Sequence, residues 1–261
     1  MAPFRVGLGP FAISPMELFA FLGLALTAWL SRRKMAEIGV SGTALFDLSL
    51  AALVGGAVGA RLFYFLPLWL RGLESGGTLF TRWSEGSGFF GGLIGGSLAV
   101  ALLARVKKLP VLPVLDAGAA PLPLGFAVGK VGCFLAGCCF GPPCAGFPGV
   151  RFAPRSLAGD AKAVHPTQLY ELALGLALFV GLRVLSNRSR RPGEVTLGFV
   201  AGYSLWRFGI EFLRADPGRH GFGAGLSDSQ ITALVLLALS AAGWVLLRRR
   251  SVPPFPAGGP A

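Results

Sequence analysis

Long apolar runs, separated by short polar and mostly basic segments, organise this chain. A transmembrane helix needs roughly 20 predominantly apolar residues to cross about 30 Å of hydrocarbon. Seven stretches meet that description: residues 11–30, 44–70, 88–104, 111–136, 167–186, 194–213 and 229–247. The pattern predicts an all-α polytopic membrane protein with seven transmembrane helices. It places one membrane-embedded domain over residues 1–250, followed by a Pro-, Gly- and Ala-rich tail, 251–261, expected to be disordered. Before the first apolar stretch the only basic residue is Arg5, and no small-residue cleavage site follows it, so it reads as a first span and not as a removed signal peptide.

Charge orients the spans. Dense basic clusters follow the first, third, fifth and last of them: Arg32, Arg33 and Lys34; Arg105, Lys107 and Lys108; Arg188, Arg190 and Arg191; Arg248, Arg249 and Arg250. The opposite side carries Arg5, then Arg71 and Arg82, then Arg151, Arg155 and Lys162, then Arg214 and Arg219, spread over longer segments. The positive-inside rule places the N-terminus outside and the C-terminus inside. Composition agrees with a bilayer environment: 53% of the residues are hydrophobic and 14% charged, against about 25% charged in ordinary soluble domains. The formal net charge of +12 is accounted for largely by these flanking clusters, and no nucleic-acid partner is expected.

Four basic residues fall within spans: Arg61, Lys130, Arg183 and Arg207. Arg183 lies near a span end and can extend its head group to the interface. Each of the others costs about 2.5 to 3.5 kcal/mol near a helix centre and therefore needs a partner or a polar ligand. Arg207 and Glu211, spaced i, i+4, share a helix face with Tyr203 one turn earlier and Arg214 one turn later. That stripe reads either as a structural ion pair or as an anion site. Asp47, Asp116 and Glu171 lie near span ends, where capping or interfacial solvation accounts for each. Arg61 follows the small-residue run Gly55 to Ala60, which reads as helix packing. Cation-rich, carboxylate-poor positions inside a bilayer suit a phosphate head group better than a metal. The expected ligand is a phospholipid, with no cofactor and no metal.

Several segments resemble the prolipoprotein diacylglyceryl transferase family. His165 to Glu171 (HPTQLYE) resembles its HPSQLYE segment, and Gly91 to Gly95 resembles the latter part of its HGGLIG segment. Gly59 to Leu62 resembles G-[AG]-R-L, and Tyr203 to Arg214 (YSLWRFGIEFLR) resembles Y-x-x-x-R-x-x-x-E-F-x-R. Pro121, Gly125, Gly129, Gly132, Phe134, Gly137 and Gly141 keep the spacing of the family signature, and Leu226 to Ile231, with Ser227 and Gln230, resembles the start of its last span. The motifs occur in the family's order.

The resemblance implies transfer of a diacylglyceryl group from phosphatidylglycerol to the lipobox cysteine of a prolipoprotein, forming a thioether and releasing glycerol phosphate. The setting it implies is the bacterial inner membrane, and the partners are phosphatidylglycerol, membrane lipids and the prolipoprotein signal peptide. It assigns Arg207 to the lipid phosphate, with Tyr203 supplying a hydroxyl and Glu211 orienting the arginine. It makes His165 a catalytic candidate and places Lys130, Arg61, Gly91 and Gly141 at the substrate. The chain also departs from the family. Where the signature runs G-R-x-G-N-F-x-N-G-E, this sequence has Lys130, Cys133, Ala136 and Cys138 in place of Arg, Asn, Asn and Glu; Phe90 stands for the histidine of HGGLIG, and Met16 for an N-terminal tyrosine. Without that histidine the sequence does not identify the base that deprotonates the acceptor thiol.

Cys133, Cys138, Cys139 and Cys144 begin at the end of a span and continue into the segment after it. In an oxidising outer compartment they are expected to pair as disulfides, ahead of zinc, because familiar C-x2-C pairs are missing. Phe90, Cys133 and Cys138 keep a second reading open: a paralogue that binds phospholipid or runs thiol redox chemistry without the transfer. A third reading is an assembly protein whose glycine-rich spans serve packing, which leaves the Arg207–Glu211 stripe without a purpose.

Overall fold

A computed structural model describes residues 6–8, 11–70, 72, 88–153, 162–189, 191–214, 221–222 and 225–249. Arg5, Arg71, Arg82, Arg155, Arg190, Arg219, His220, Arg250 and the tail 251–261 lie outside the described residues. The described chain is mostly helical, with two short hairpins and an irregular segment over 137–153 and 162–166, so the all-α expectation holds in its main part. Strands β1 (Val6–Leu8) and β2 (Phe11–Ile13) pair antiparallel, with Val6 opposite Ile13. Residues 11–13 are thus strand where the first span was expected to begin. The helix starts later because Ser14 and Glu17 form a reciprocal cap: the Ser14 N–H donates to Glu17 Oε2 at 2.7 Å, and the Glu17 N–H donates to Ser14 Oγ at 3.3 Å.

The helices are α1 (Pro15–Glu37), α2 (Gly42–Leu70), α3 (Phe89–Val106), α4 (Val111–Ala119), α5 (Leu122–Ala136), α6 (Thr167–Arg188), α7 (Glu194–Ile210) and α8 (Asp228–Arg249). A 3-10 turn, Glu211–Leu213, extends α7, and the short strands β3 (Gly221–Phe222) and β4 (Leu226–Ser227) precede α8. Four of these helices, α2, α3, α6 and α8, are each long and apolar enough to cross a membrane. Helices α4 and α5 make a fifth crossing if taken as one broken span. The break falls at Ala120 and Pro121, where proline supplies no N–H to continue the ladder. Two predicted spans are helical but fit the hydrocarbon less well. Helix α1 carries Glu17, Arg32, Arg33, Lys34 and Glu37, and the 17 residues of α7 reach only about 26 Å.

The chain divides into two compact units, one comprising Arg32–Ala117 and the other the segment up to Ser31 together with the chain from Gly118 onward. In the first, Met35, Val40, Leu48, Ala104, Val114 and Ala117 form a buried core. Helices α2 and α3 meet along glycines. A Cβ on Gly59 would stand 2.2 Å from the Gly91 carbonyl oxygen, and one on Gly91 would stand 2.2 Å from that of Gly59. Close backbone approach of this kind drives helix association where no hydrophobic effect separates helix from lipid. Lys107 Nζ and Asp47 Oδ2, 2.7 Å apart, tie the two helices near one end. Gly59→Leu is expected to force the pair apart and cost about 1 to 3 kcal/mol or more, seen as a lower unfolding temperature in detergent.

In the other unit, α5 packs on α6, α6 on α7, and α7 on α8. The Ser240 hydroxyl donates to the Leu197 carbonyl at 2.8 Å across the α7–α8 contact. Arg191 Nη1 donates to the Leu247 carbonyl at 3.1 Å, so one residue of an expected inner basic cluster caps the end of the last helix. Ser227 and Gln230 form the same reciprocal cap as Ser14 and Glu17: the Ser227 N–H donates to Gln230 Oε1 at 2.9 Å, and the Gln230 N–H donates to Ser227 Oγ at 3.2 Å. The LSDSQI segment thus fixes where α8 begins.

Candidate active site

Glu171, one turn into α6, is the centre of a buried ionic cluster. Its Oε2 pairs with Lys130 Nζ from α5, and its Oε1 lies 3.9 Å from Arg207 Nη1 of α7 and 3.9 Å from Arg214 Nη1 beyond the 3-10 turn. Arg207 Nη2 reaches Glu211 Oε2 at 2.7 Å and Ser229 Oγ at 3.5 Å. The side chains are 3% exposed at Glu171, 6% at Glu211, 10% at Lys130 and Arg207, and 17% at Arg214. Bulk water therefore screens little of their interaction. Three cations are linked to two carboxylates, an arrangement suited to receiving an anion.

An aromatic wall flanks the cluster. Lys130 Nζ lies 5.0 Å from the Phe126 ring centroid, Phe126 meets Tyr203 edge-on at 5.7 Å, and Tyr203 stacks on Phe199 at 5.9 Å. The cation–π contact partly offsets the cost of burying the ammonium. Tyr203 is 4% exposed, so its hydroxyl sits deep among these rings.

The HPTQLYE segment builds the next layer outward. At its start the chain folds back on the segment after α5: Val150 and Val164 exchange backbone hydrogen bonds at 3.0 Å, the Gly141 N–H donates to the His165 carbonyl at 2.9 Å, and the His165 N–H donates to that of Pro142 at 3.0 Å. A Cβ on Gly141 would stand 2.8 Å from His165 Cβ and 2.7 Å from the Leu213 carbonyl oxygen, so only glycine lets these strands approach. His165 Nδ1 and the Tyr170 hydroxyl are 3.1 Å apart. The Thr167 hydroxyl donates to the Cys139 carbonyl and Gln168 Nε2 to the Cys138 carbonyl, both at 2.5 Å. Thr167 and Gln168 are fully buried. Thr167→Val is expected to leave the Cys139 carbonyl without this donor and to cost about 1 to 3 kcal/mol, measured by thermal unfolding.

The cysteines converge because of how α5 ends. Gly137 adopts the left-handed conformation, φ 68°; its N–H returns to the Phe134 carbonyl and that of Cys138 to the Cys133 carbonyl, each at 3.1 Å. These two bonds close the helix as a Schellman motif and fold Cys138 back over Cys133. Cys139 is also left-handed, φ 60°, and turns the chain again. The sulfurs of Cys133, Cys138 and Cys139 all lie within 4.8 Å of one another. All four cysteines are free thiols, which corrects the expectation of disulfides: the helix cap gathers three of them into a trio, while Cys144 Sγ faces the Gly146 carbonyl at 3.9 Å. Hydrogen bonds from the Cys133 and Cys138 thiols, with Lys130 and Arg214 adding positive potential, hold the Cys139 thiol well below the ordinary range. Hydrogen bonds to Cys133 and Cys139, together with burial, push Cys138 up.

Of the residues expected at the site, Lys130, Tyr203, Arg207 and Glu211 come together here, and Gly141 and His165 belong to the layer outside them. Glu171 was expected only to be an interfacial carboxylate, and it is the centre. Its place in the HPTQLYE segment was the available signal. Arg61 and Gly91 belong to the other unit. There Arg61 is 6% exposed and lies 4.8 Å from the Phe65 ring centroid, Gly91 forms the contact with Gly59, and Phe90 is buried against Phe63 with centroids 6.4 Å apart.

Comparison with known proteins finds relatives over nearly the whole chain. The sequence model of the family described as prolipoprotein diacylglyceryl transferase matches residues 3–246. A phosphatidylglycerol-prolipoprotein diacylglyceryl transferase of Bordetella parapertussis is 35% identical over 258 residues, covering 95% of each chain. The protein of that name from Geobacter sulfurreducens is 35% identical over 252 residues, covering 91% of this chain and 92% of its own. A protein named phosphatidylglycerol-prolipoprotein diacylglyceryl transferase 2 from Clostridium perfringens is 29% identical over 216 residues, covering 83% and 84%.

Proposed function

Because the chain belongs to the prolipoprotein diacylglyceryl transferase family, we propose that it moves a diacylglyceryl group from phosphatidylglycerol to the lipobox cysteine at the end of a prolipoprotein signal peptide. The observation that carries this reading is the buried set Lys130, Arg207 and Arg214 linked to Glu171 and Glu211. In the reaction the acceptor sulfur attacks the glyceryl carbon, and the carbon–oxygen bond to the phosphate breaks. The electron pair goes to the phosphate, so negative charge grows on the leaving group. Preorganised cations in a poorly hydrated site stabilise such charge more than water does. Arg207 offers a planar fork to phosphate oxygens, Glu211 holds it, Tyr203 walls the site, and Lys130 and Arg214 add positive potential. His165 is the one histidine among the described residues, and in this reading it receives the acceptor proton directly or through water. Gly141 shapes the outer edge, and Arg61 and Gly91 are assigned to substrate binding by the family resemblance alone.

We place the chain in the bacterial inner membrane as seven spans with the N-terminus outside and the C-terminus inside. Helices occur at all seven predicted positions, and the basic clusters of the sequence set this orientation by the positive-inside rule. Residues 1–250 act as one domain in this reading, in keeping with the unbroken family match over residues 3–246.

The test is mass spectrometry of a lipobox peptide incubated with the detergent-purified protein and phosphatidylglycerol. A diacylglyceryl adduct on the peptide cysteine is expected with phosphatidylglycerol and not with phosphatidylcholine. No adduct from either lipid, with folded protein, would overturn the reading.

A further inference from the structure

Three thiols whose sulfurs lie within 4.8 Å of one another, all free and each partly exposed, are an unusual thing to build beside an ionic cluster. Cys133 stands in the last turn of α5, and Cys138 and Cys139 on the left-handed turn after it, their carbonyls held by the buried Thr167 and Gln168. Two of them, Cys133 and Cys138, occupy signature positions where the family carries Asn and Glu. We propose that Cys133, Cys138 and Cys139 form a zinc site whose fourth coordination position takes the thiol of the acceptor peptide.

The donor set fits. Thiolate ligands select soft cations such as zinc, and tetrahedral zinc at about 2.3 Å from each sulfur separates the sulfurs by roughly 3.8 Å. The sulfurs, all within 4.8 Å of one another, stand at most about 1 Å wider than that spacing. Three thiolates and one divalent ion carry a net charge of about −1, and Lys130 and Arg214 lie within electrostatic reach of Cys139 to balance it. The hydrogen bonds from Thr167 and Gln168 to the Cys139 and Cys138 carbonyls fix the backbone from which two ligands project, as residues behind a metal site do.

Among the described residues the group supplies three ligands, and a three-ligand zinc keeps a position for an outside donor. A thiol bound there loses its proton outright. That supplies the thiol activation for which the sequence identifies no base. The step balances: the acceptor S–H proton leaves to His165 or water as the sulfur binds, the metal-held thiolate forms the C–S bond, and the C–O electron pair departs with glycerol phosphate. The thioether product is a weak donor and leaves the metal. The acceptor role rests on the transferase reading above; the metal site does not.

The test uses full-length protein in detergent, reduced, stripped with a chelator and titrated with Co²⁺ as a spectroscopic substitute for zinc. Uptake of about one ion per chain, with intense thiolate-to-cobalt absorption that changes when the lipobox peptide is added, is expected. Cys133→Ser and Cys138→Ser should each lower the retained metal at least tenfold, and Cys144→Ser should not; circular dichroism and size exclusion confirm folding. No uptake by reduced wild-type protein would overturn the proposal, as would uptake with a spectrum that ignores the peptide. Undiminished adduct formation by metal-free protein would overturn it too while the transferase reading stands. A cobalt site that answers the peptide, with no adduct from any phospholipid, would uphold the site and sink the transferase reading.

Discussion

Arg207→Ala is expected to lower the rate of diacylglyceryl transfer by about 100- to 1,000-fold, the usual cost of removing one preorganised donor from a developing anion. Arg207 is placed to act this way because both ends of its guanidinium are held: Nη2 by Glu211 at 2.7 Å, and Nη1 near Glu171 at 3.9 Å. Arg207→Lys keeps the charge but loses the fork, so it should recover only part of the rate. The check is the initial rate of thioether formation per folded molecule. A rate in Arg207→Ala equal to wild type would remove Arg207 from the reacting phosphate.

The largest effect on stability is expected at Glu171. Removing one partner of a buried ion pair leaves the other uncompensated and costs about 3 to 5 kcal/mol. Here a single carboxylate, 3% exposed, faces Lys130, Arg207 and Arg214. Glu171→Leu should therefore lower the unfolding temperature in detergent strongly, and Lys130→Met together with Glu171→Leu should restore part of the loss, because an apolar pair replaces an orphaned ammonium. Glu211→Gln should be milder, since Arg207 keeps Glu171. Equal effects of the Glu171 and Glu211 changes would mean that Glu171 is not the centre.

Local patterns in the sequence carried much of this. The apolar runs announced the helices, the i, i+4 spacing announced Arg207 with Glu211, and the small-residue run before Arg61 announced the glycine contact of α2 and α3. The convergence of Lys130 and Glu171 on the Arg207–Glu211 stripe is tertiary: it depends on α5 packing against α6 and α6 against α7, which no local periodicity announces. The thiol trio was hidden for a related reason. Spacing of C-x4-C-C suggests no metal pair, but a left-handed Gly137 followed by a left-handed Cys139 brings the sulfurs together. Thr167 and Gln168 stood inside a quoted motif, yet their hydrogen bonds to the Cys139 and Cys138 carbonyls span 28 and 30 residues and could not be read from the motif itself. The start of α1 shifted for a local reason, the Ser14–Glu17 cap, that hydropathy does not register.

In the proposed reaction the cluster around Glu171 receives the phosphate of an anionic phospholipid. Native mass spectrometry of the protein offered phosphatidylglycerol and phosphatidylcholine in competition tests it most directly. The wild type should retain phosphatidylglycerol preferentially, and Arg207→Ala, shown to be folded, should lose that preference; the same preference in both proteins would contradict the account.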